Sequence, residues 1–432
     1  MTPAFVVAAP SSGSGKTIVT LGLLRAFRDA GVTVASAKIG PDYIDPRFHE
    51  AASGRPSFNL DGWAMRRARL LALAQEAGRG AELMVVEGVM GLFDHAAEPG
   101  VEGHGGAADV AATLGAPVVL VLDGSGMAQS AGAIARGFAD FRDDLDVAGV
   151  ILNRVASPRH QALLRLGCDA AGVAVFGALP RTKDLRTPSR HLGLVQAEEL
   201  PELDALIADA GRLVAAHVDL DALRAIARSA PTSSERPSGP TIRPLGQKIA
   251  VAADAAFRFA YPHLLMGWRQ AGAEIALFSP LADEAPAADS DAVFLPGGYP
   301  ELHAGRLASA SRFGAGMRAA ADHGAVIYGE CGGYMTLGDG LTDADGARHA
   351  MLGLLGLETT FAARKLHLGY RHATLAASGP LGEAGAAFRA HEFHYASTAA
   401  EAGDSLFKVG EAKVGLTRGS VSGSFLHMID GS

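Results

Sequence analysis

The first half of the chain alternates two hydrophobic rhythms. Compact apolar runs rich in β-branched residues occur at 5–8, 32–39, 83–87, 118–123 and 148–153. Between them, apolar residues recur at helical spacing, as at Ile18, Leu21, Leu24 and Phe27. Strands with hardly any polar face, separated by helices, predict a mostly parallel sheet with crossover helices. The rhythm breaks at 229–246, SAPTSSERPSGPTIRPLG, where four prolines and few apolar residues predict an exposed linker. A second α/β pattern starts at Lys248 with KIAVAADAAF, EIALFSP, DAVFLPGG and AVIYGECGG. Phe257, Tyr261, Leu264, Leu265 and Trp268 are spaced as one helix after its first strand. The expected organisation is therefore an α/β chain of two domains, 1–228 and 248–432, joined by a linker over 229–247.

Composition narrows the class. At 432 residues, with 48% hydrophobic and 19% charged, the chain buries sizeable cores and is not disordered. A net charge of −8 argues against nucleic-acid or anionic-membrane partners. No apolar run reaches the roughly 18–20 residues of a membrane span, and no basic stretch precedes the first apolar one. Two cysteines, Cys168 and Cys331, make neither a disulfide framework nor a four-thiolate metal site, and a cytoplasmic location is expected.

Three stretches carry phosphate chemistry. The first, APSSGSGKT, runs from Ala9 to Thr17 between a strand and a helix. It fits the P-loop pattern at Gly15, Lys16 and Thr17, with Pro10 where the first glycine belongs. Backbone N–H groups along Ser12, Gly13, Ser14 and Gly15 are placed to face a phosphate, Lys16 to reach the β/γ-phosphates, and Thr17 to help hold Mg²⁺. The other two, KIGPDYIDPRFH and VVEGVMGLFDH, put Asp42 and Glu87 just after strands, where an open parallel sheet binds ligands. Both are candidate Mg²⁺ ligands. Asp94 is a candidate for metal or substrate, and Asp45 before Pro46 reads as a turn residue. Asn153, at the end of VAGVILN, is either an adenine reader or a local backbone cap. Asp123, ending PVVLVLD, is ambiguous in the same way.

A fourth stretch carries nucleophilic chemistry. AVIYGECGGYMTLG runs from an apolar strand into Cys331 between glycines, the logic of a nucleophile elbow. The helix N-terminus that follows is expected to lower the thiol pKa. A cysteine nucleophile needs a base and an oxyanion hole. His427 in SFLHMID follows a short apolar run and is the candidate base, ahead of His367, His391 and His394. Backbone N–H groups at Gly298, in LPGGYPE, and Gly332 are the candidate oxyanion donors.

Taken in order, APSSGSGKT, GPDYIDPRFH, EGVMGLFD, RHLGLV, LPGGYPE, GECGGYM, HEFHY and SFLH resemble the cobyrinic/hydrogenobyrinic acid a,c-diamide synthases over almost the whole chain. The resemblance implies a dethiobiotin-synthetase-like ATP-binding amidoligase domain followed by a class I glutaminase. It implies Cys331 as nucleophile and His427 as its base. Class I domains usually carry Glu two residues after that histidine; Ile429 stands here, so a Cys–His dyad is implied. The substrates implied are ATP with Mg²⁺, glutamine, and a corrin whose a and c acetates are amidated, with a lean towards metal-free hydrogenobyrinic acid. Tyr43, Asp94, Arg190, His367, Arg371 and His394 are the implied corrin contacts, and a homodimer is carried as an expectation without a residue behind it. The competing readings are a cobyric acid synthase amidating other side chains, and a P-loop regulatory ATPase with an inactive glutaminase-like domain.

Overall fold

The computed structural model describes residues 1–182, 189–190, 193–194, 197, 200, 202–231 and 241–431. The chain divides into two compact units, Met1–Pro237 and Ser238–Ser432. No described helix is long and apolar enough to cross a membrane.

In the first unit seven parallel strands lie in the order β3-β2-β4-β1-β5-β6-β7. They are β1 (Pro3–Ala8), β2 (Val34–Ile39), β3 (Phe58–Leu60), β4 (Leu83–Glu87), β5 (Val118–Asp123), β6 (Val147–Val155) and β7 (Val175–Pro180). The expected runs are all present, and β3 and β7 are additions. Strands β2 and β4 are buried at every position, as a sheet covered on both faces requires. Helix α1 (Lys16–Asp29) follows β1, and its buried face includes Leu21, Leu24 and Phe27. Helix α2 (Asp45–Ser53) follows β2 with Pro46 in its first turn. Helices α3 (Ser130–Asp140) and α4 (Pro158–Ala170) cross at glycines. A Cβ on Gly132 would sit 1.9 Å from the Gly167 carbonyl oxygen.

The expected linker is shorter at both of its described ends. Arg228–Ser229 adds an antiparallel strand to β1, with Ser229 opposite Pro3. Ile242 and Leu245 are buried in the second unit, and the Trp268 indole donates to the Ile242 carbonyl. Apolar residues scattered among the prolines of that stretch supply these anchors. Residues 232–240 lie outside the described residues.

The second unit departs from a plain parallel sheet. Its ten-stranded sheet begins with five parallel strands in the order β9-β8-β10-β11-β16 and continues antiparallel as β15-β14-β12-β13-β17. These are β8 (Lys248–Ala252), β9 (Glu274–Phe278), β10 (Ala292–Leu295), β11 (Val326–Glu330), β12 (His367–Leu375), β13 (Ala387–His394), β14 (Asp404–Val409), β15 (Ala412–Arg418), β16 (Val421–Ser424) and β17 (Leu426–Gly431). From the middle strand β16 the chain passes through Phe425 directly into the outermost strand β17. The Met428 N–H on β17 bonds the Glu330 carboxylate at the end of β11, so the sheet curls until its last strand meets its centre. The helix expected over 257–268 is shorter, Pro262–Gln270. Asp254 turns the chain first by accepting the Ala256 N–H, and Pro262 sets the helix start, so Phe257 and Tyr261 are buried from a loop.

The glycine crossing of α3 and α4 yields a matched test. Gly132→Ala forces two backbones apart and should cost about 1–3 kcal/mol, read as a lower thermal midpoint. Gly137→Ala on the same helix meets nothing within 4 Å and should be neutral or slightly stabilising. Equal midpoints for the two variants would remove the crossing from the account.

Candidate active site

The first site lies at the carboxyl ends of β1, β2, β4 and β6. Gly13 and Gly15 adopt φ of 80° and 93°, which glycine tolerates and other residues rarely do. The loop they turn opens on a cavity of about 970 Å³ lined by Lys16, Thr17, Lys38, Asp42, Glu87 and Asn153 among others. Ser12, Gly13 and Gly15 also line it, while Ser14 is spent locally, its hydroxyl donating to the Ser11 carbonyl at 2.9 Å. Lys16 donates to the Met90 carbonyl. Burial lowers its pKa, with Lys38 adding to the effect and Glu87 opposing it. That favours a lysine whose charge is satisfied by an anion entering the cavity.

Beneath the loop is a buried ionic network. Lys38 Nζ lies 2.6 Å from Asp45 Oδ2 and 3.0 Å from Glu87 Oε1. Glu87 Oε1 also accepts from the Thr17 hydroxyl at 2.8 Å, and its Oε2 lies 2.6 Å from His49 Nε2. Burial penalises both charges, yet Asp45 and Glu87 hold the Lys38 pKa above its ordinary value. Burial likewise works against an ionised Glu87, and Lys38, His49 and Thr17 overcome it, so its pKa falls. Burial together with the Asp42 and Glu87 charges pushes Asp45 up to about 7 against the pull of Lys38. Asp45 is therefore no mere turn residue: it is buried and part of the network.

Other expected residues are placed differently from a simple ligand set. Asp42 Oδ1 caps the start of α2 by accepting the Ile44 and Asp45 N–H groups, while the residue still lines the cavity. Asp94 Oδ2 closes a turn on the Gly91 N–H, and Asp94 is not among the residues lining this cavity. Tyr43 is buried. Asn153 Nδ2 donates to the Ser14 carbonyl and its Oδ1 accepts the Arg154 N–H, so this side chain clasps the phosphate loop; a purine-reading role would have to share its remaining donor. A Cβ on Gly15 would lie 2.3 Å from Asn153 Nδ2, which is why the loop needs glycine there. Asp123 pairs with Arg154. The Arg190 side chain lies outside what is described.

The second site is the turn after β11. Cys331 holds φ 44° and ψ −101°, a strained conformation for a residue with a Cβ, between β11 and a short helix, Gly332–Leu337. Its N–H bonds the Ser424 carbonyl at 2.8 Å, and its sulfur lies 3.8 Å from the Phe393 carbonyl oxygen. A Cβ on Gly332 would sit 2.9 Å from the Gly298 nitrogen, so the structure packs these two glycines against each other. His427 is fully buried on β17, directly opposite His391 on β13. A Cβ on Gly297 would lie 2.2 Å from His427 Cε1, so the glycine pair of LPGGYPE makes room for the imidazole. Glu330 Oε2 is 3.9 Å from His427 Nδ1.

The electrostatics here correct the expected acidic thiol. Burial pushes the Cys331 thiol well up, with Glu301, Glu330 and Glu392 adding to it, against one favourable bond from the Gly332 backbone. Burial and the neighbouring His391 and His394 push His427 down to about 3. The resting pair is a thiol and a neutral imidazole, because the short helix does not offset desolvation.

A third group of expected residues gathers on one face of β12 and β13. His367, Arg371 and His394 line a cavity of about 470 Å³ with Lys365, Glu392 and Lys413. Ala396 and Phe425 line it too and pack in the cluster that holds Cys331. Arg371 pairs with Glu392 at 2.7 Å, and Glu392 Oε1 is 3.1 Å from His394 Nε2. Ligand atoms of His367, Glu392 and His394 lie within 4.8 Å of one another. The two imidazoles, however, stack at 4.6 Å with planes 4° apart, whereas a metal lies in the plane of each ring that binds it. This face suits anionic groups better than a metal ion. The first cavity offers the oxygens of Thr17 and Asp42 beside Glu87, hard donors of the type that could hold Mg²⁺.

Sequence reasoning missed Lys38, His49, Arg154, Glu330 and Glu392. Lys38 left a signal, a lysine inside the apolar run VASAKI, and Glu330 another, a carboxylate adjoining the nucleophile. His49, Arg154 and Glu392 depend on tertiary neighbours.

A family model described as "CobQ/CobB/MinD/ParA nucleotide binding domain" matches residues 5–195, and one described as "CobB/CobQ-like glutamine amidotransferase domain" matches 248–432. A hydrogenobyrinate a,c-diamide synthase of a Sinorhizobium species is 54% identical over 436 residues, covering 98% of each chain. That of Brucella anthropi is 53% identical over 434 residues, covering 99% of this chain and 98% of its own. That of Rhodobacter capsulatus is 54% identical over 431 residues, covering 98% of each.

The buried neutral His427 has a consequence for acid stability. Its folded pKa of about 3 lies below the ordinary 6.5. Between those values the unfolded chain binds the extra proton, so stability falls as pH drops from 6.5 towards 3, by at most about 1.4 kcal/mol per pH unit. His427→Gln should flatten this slope in thermal unfolding measured across that range. An unchanged slope would mean that other groups carry the acid sensitivity.

Proposed function

The chain belongs to the hydrogenobyrinate a,c-diamide synthase family, and from that premise we propose that it amidates the a and c acetate carboxylates of hydrogenobyrinic acid, using ATP and glutamine. The observation that carries the reading is a phosphate loop over buried carboxylates in one unit and, in the other, a cysteine elbow whose Gly332 packs on Gly298 while the adjoining Gly297 packs on the buried His427. Residues 1–228 act as the ATP-dependent amidoligase and 248–432 as the glutaminase.

Amide formation from a free carboxylate and ammonia is unfavourable in water. ATP removes that barrier when an acetate oxygen of the corrin attacks the γ-phosphorus and ADP departs, leaving an acyl phosphate. The glycine loop and Lys16 hold the phosphates and offset the charge that develops on the transferring group. Thr17 and Asp42, with Glu87 behind them, would hold Mg²⁺, which when bound neutralises phosphate charge. Lys38 and His49 fix Glu87, and Asn153 fixes the loop.

In the other domain the Cys331 sulfur attacks the glutamine carboxamide carbon as His427 takes the thiol proton. The Gly298 and Gly332 N–H groups receive the oxyanion. Collapse of the intermediate breaks the C–N bond, and His427 returns the proton to the departing ammonia. Water then cleaves the γ-glutamyl thioester to glutamate. Ammonia attacks the acyl phosphate and expels phosphate, leaving the amide. The face with the cations Lys365, Arg371 and Lys413 and the imidazoles of His367 and His394 fits a substrate bearing many carboxylates, and Arg190 is a further candidate contact. The resting thiol and imidazole are uncharged, so hydrolysis waits on a bound glutamine that excludes water and supplies the oxyanion.

Two sets of variants separate the half-reactions. Cys331→Ala should lower glutamine-driven synthesis by about 10³-fold or more while leaving synthesis from high ammonium nearly intact. Lys16→Ala and Glu87→Gln should lower both routes together by about 10²-fold. The measurement is mass spectrometry of the corrin after incubation with ATP, Mg²⁺ and either nitrogen source. Loss of ammonium-driven synthesis in a folded Cys331→Ala enzyme would overturn the two-site scheme.

A further inference from the structure

A general base that turns over needs its ring held and its second nitrogen satisfied, so that the proton moves on one nitrogen only. The residues after His427 do not do this. Ile429 is apolar and buried, and Asp430 bonds the Thr241 hydroxyl. Glu392, on the neighbouring strand, is engaged by Arg371 and His394. Glu330 is different. It ends β11 one residue before the nucleophile, its side chain is buried, and its Oε1 accepts the N–H of Met428, the residue after the base, at 3.1 Å. Its other oxygen lies 3.9 Å from His427 Nδ1. Among the described residues it is the carboxylate within ion-pair reach of that ring. One side chain thus ties the strand that delivers the sulfur to the strand that delivers the imidazole.

We infer that Glu330 is the positioning acid of the glutaminase, holding His427 by Nδ1 so that Nε2 serves Cys331. The inference rests on the reading of Cys331 and His427 as a glutaminase pair. A separation of 3.9 Å is long for the resting bond, and catalytic contacts of this kind shorten when substrate is bound. When His427 takes the thiol proton it becomes an imidazolium, and the Nδ1–H then faces the Glu330 oxygen. The Phe259 ring, 6.4 Å away between centroids, also flanks this imidazole. The other titratable groups around the pair are Tyr328 on β11, Glu301 in the loop after β10, and His391, Glu392 and His394 on β13. Burial raises Glu330 to about 8, opposed by the Met428 N–H and the Tyr328 hydroxyl. Its carboxylate therefore forms as the pH rises through that value, and the imidazolium becomes easier to make.

The test uses the full-length enzyme and reports glutamate release and ammonium-driven amidation in parallel. Glu330→Gln should lower kcat for glutamine about 10²-fold, with the KM for glutamine within about threefold of the parent. The parent should show a rise in kcat as pH passes about 8, and Glu330→Gln should lose that rise. Ammonium-driven amidation should persist in it. Native kcat with an unchanged pH profile in Glu330→Gln would overturn the inference. If that variant loses both routes, Glu330→Asp carries the test. It keeps the acid but shortens its reach, so an intermediate kcat with the pH rise retained is expected, and native kcat overturns the inference. Failure of the glutaminase reading itself gives a different pattern: Cys331→Ala would then release glutamate at the native rate.

Discussion

The first unit depends on one buried ammonium. Lys38 Nζ sits between Asp45 and Glu87 with all three side chains almost wholly withdrawn from water. Such a set contributes little net stability, because desolvation offsets most of the Coulomb attraction, but removing one member costs about 3–5 kcal/mol. Its value is geometric. Lys38 is one residue from the end of β2, Glu87 ends β4 and Asp45 opens α2, so the network fixes the relative heights of two strands and a helix. Thr17, at the second position of α1, is bonded to the same Glu87 oxygen. The phosphate loop is thereby referred to the same anchor, and the hydroxyl stays oriented before any nucleotide arrives.

The second unit solves a related problem with glycine and strain rather than charge. Cys331 is held at positive φ, and the neighbouring glycines at 297, 298, 332 and 333 admit atoms that any Cβ would exclude. The backbone of the 297–298 turn can then approach both the imidazole and the turn that carries the sulfur. Strain of this sort is tolerable only because the surrounding sheet over-determines it. The curled ten-stranded sheet does so by bringing β17 back to the end of β11.

Much of this was legible in the sequence, and the reasons for the rest are physical. The parallel strands of the first unit were clear because burial on both faces writes an uninterrupted apolar run. The glycine-rich turns that carry Lys16 and Cys331 were legible because a tight turn writes its glycines locally. The antiparallel half of the second sheet was not, since strands such as His367–Leu375 and Ala412–Arg418 are mostly exposed or half-buried and carry weak alternation. The roles of Asp45 and Asn153 were misjudged or left open for a common reason. Each is set by a partner far away in sequence, Glu87 and Lys38 for one and the phosphate loop for the other. The thiol pKa was misjudged because a local pattern shows the helix N-terminus but not the depth of burial.

The return of β17 to β11 also sets an order of events in the cell. The nucleophile strand and the base strand are separated by the whole antiparallel half of the sheet, so the glutaminase pair is a high-contact-order feature that forms late in folding. Residues 1–228, by contrast, leave the ribosome well before His427 does, at about 5–20 residues per second. The first unit can therefore fold while Cys331 is still without His427, the base proposed for it. On the proposed roles, a partial chain that ends before residue 427 carries the cysteine elbow without its imidazole.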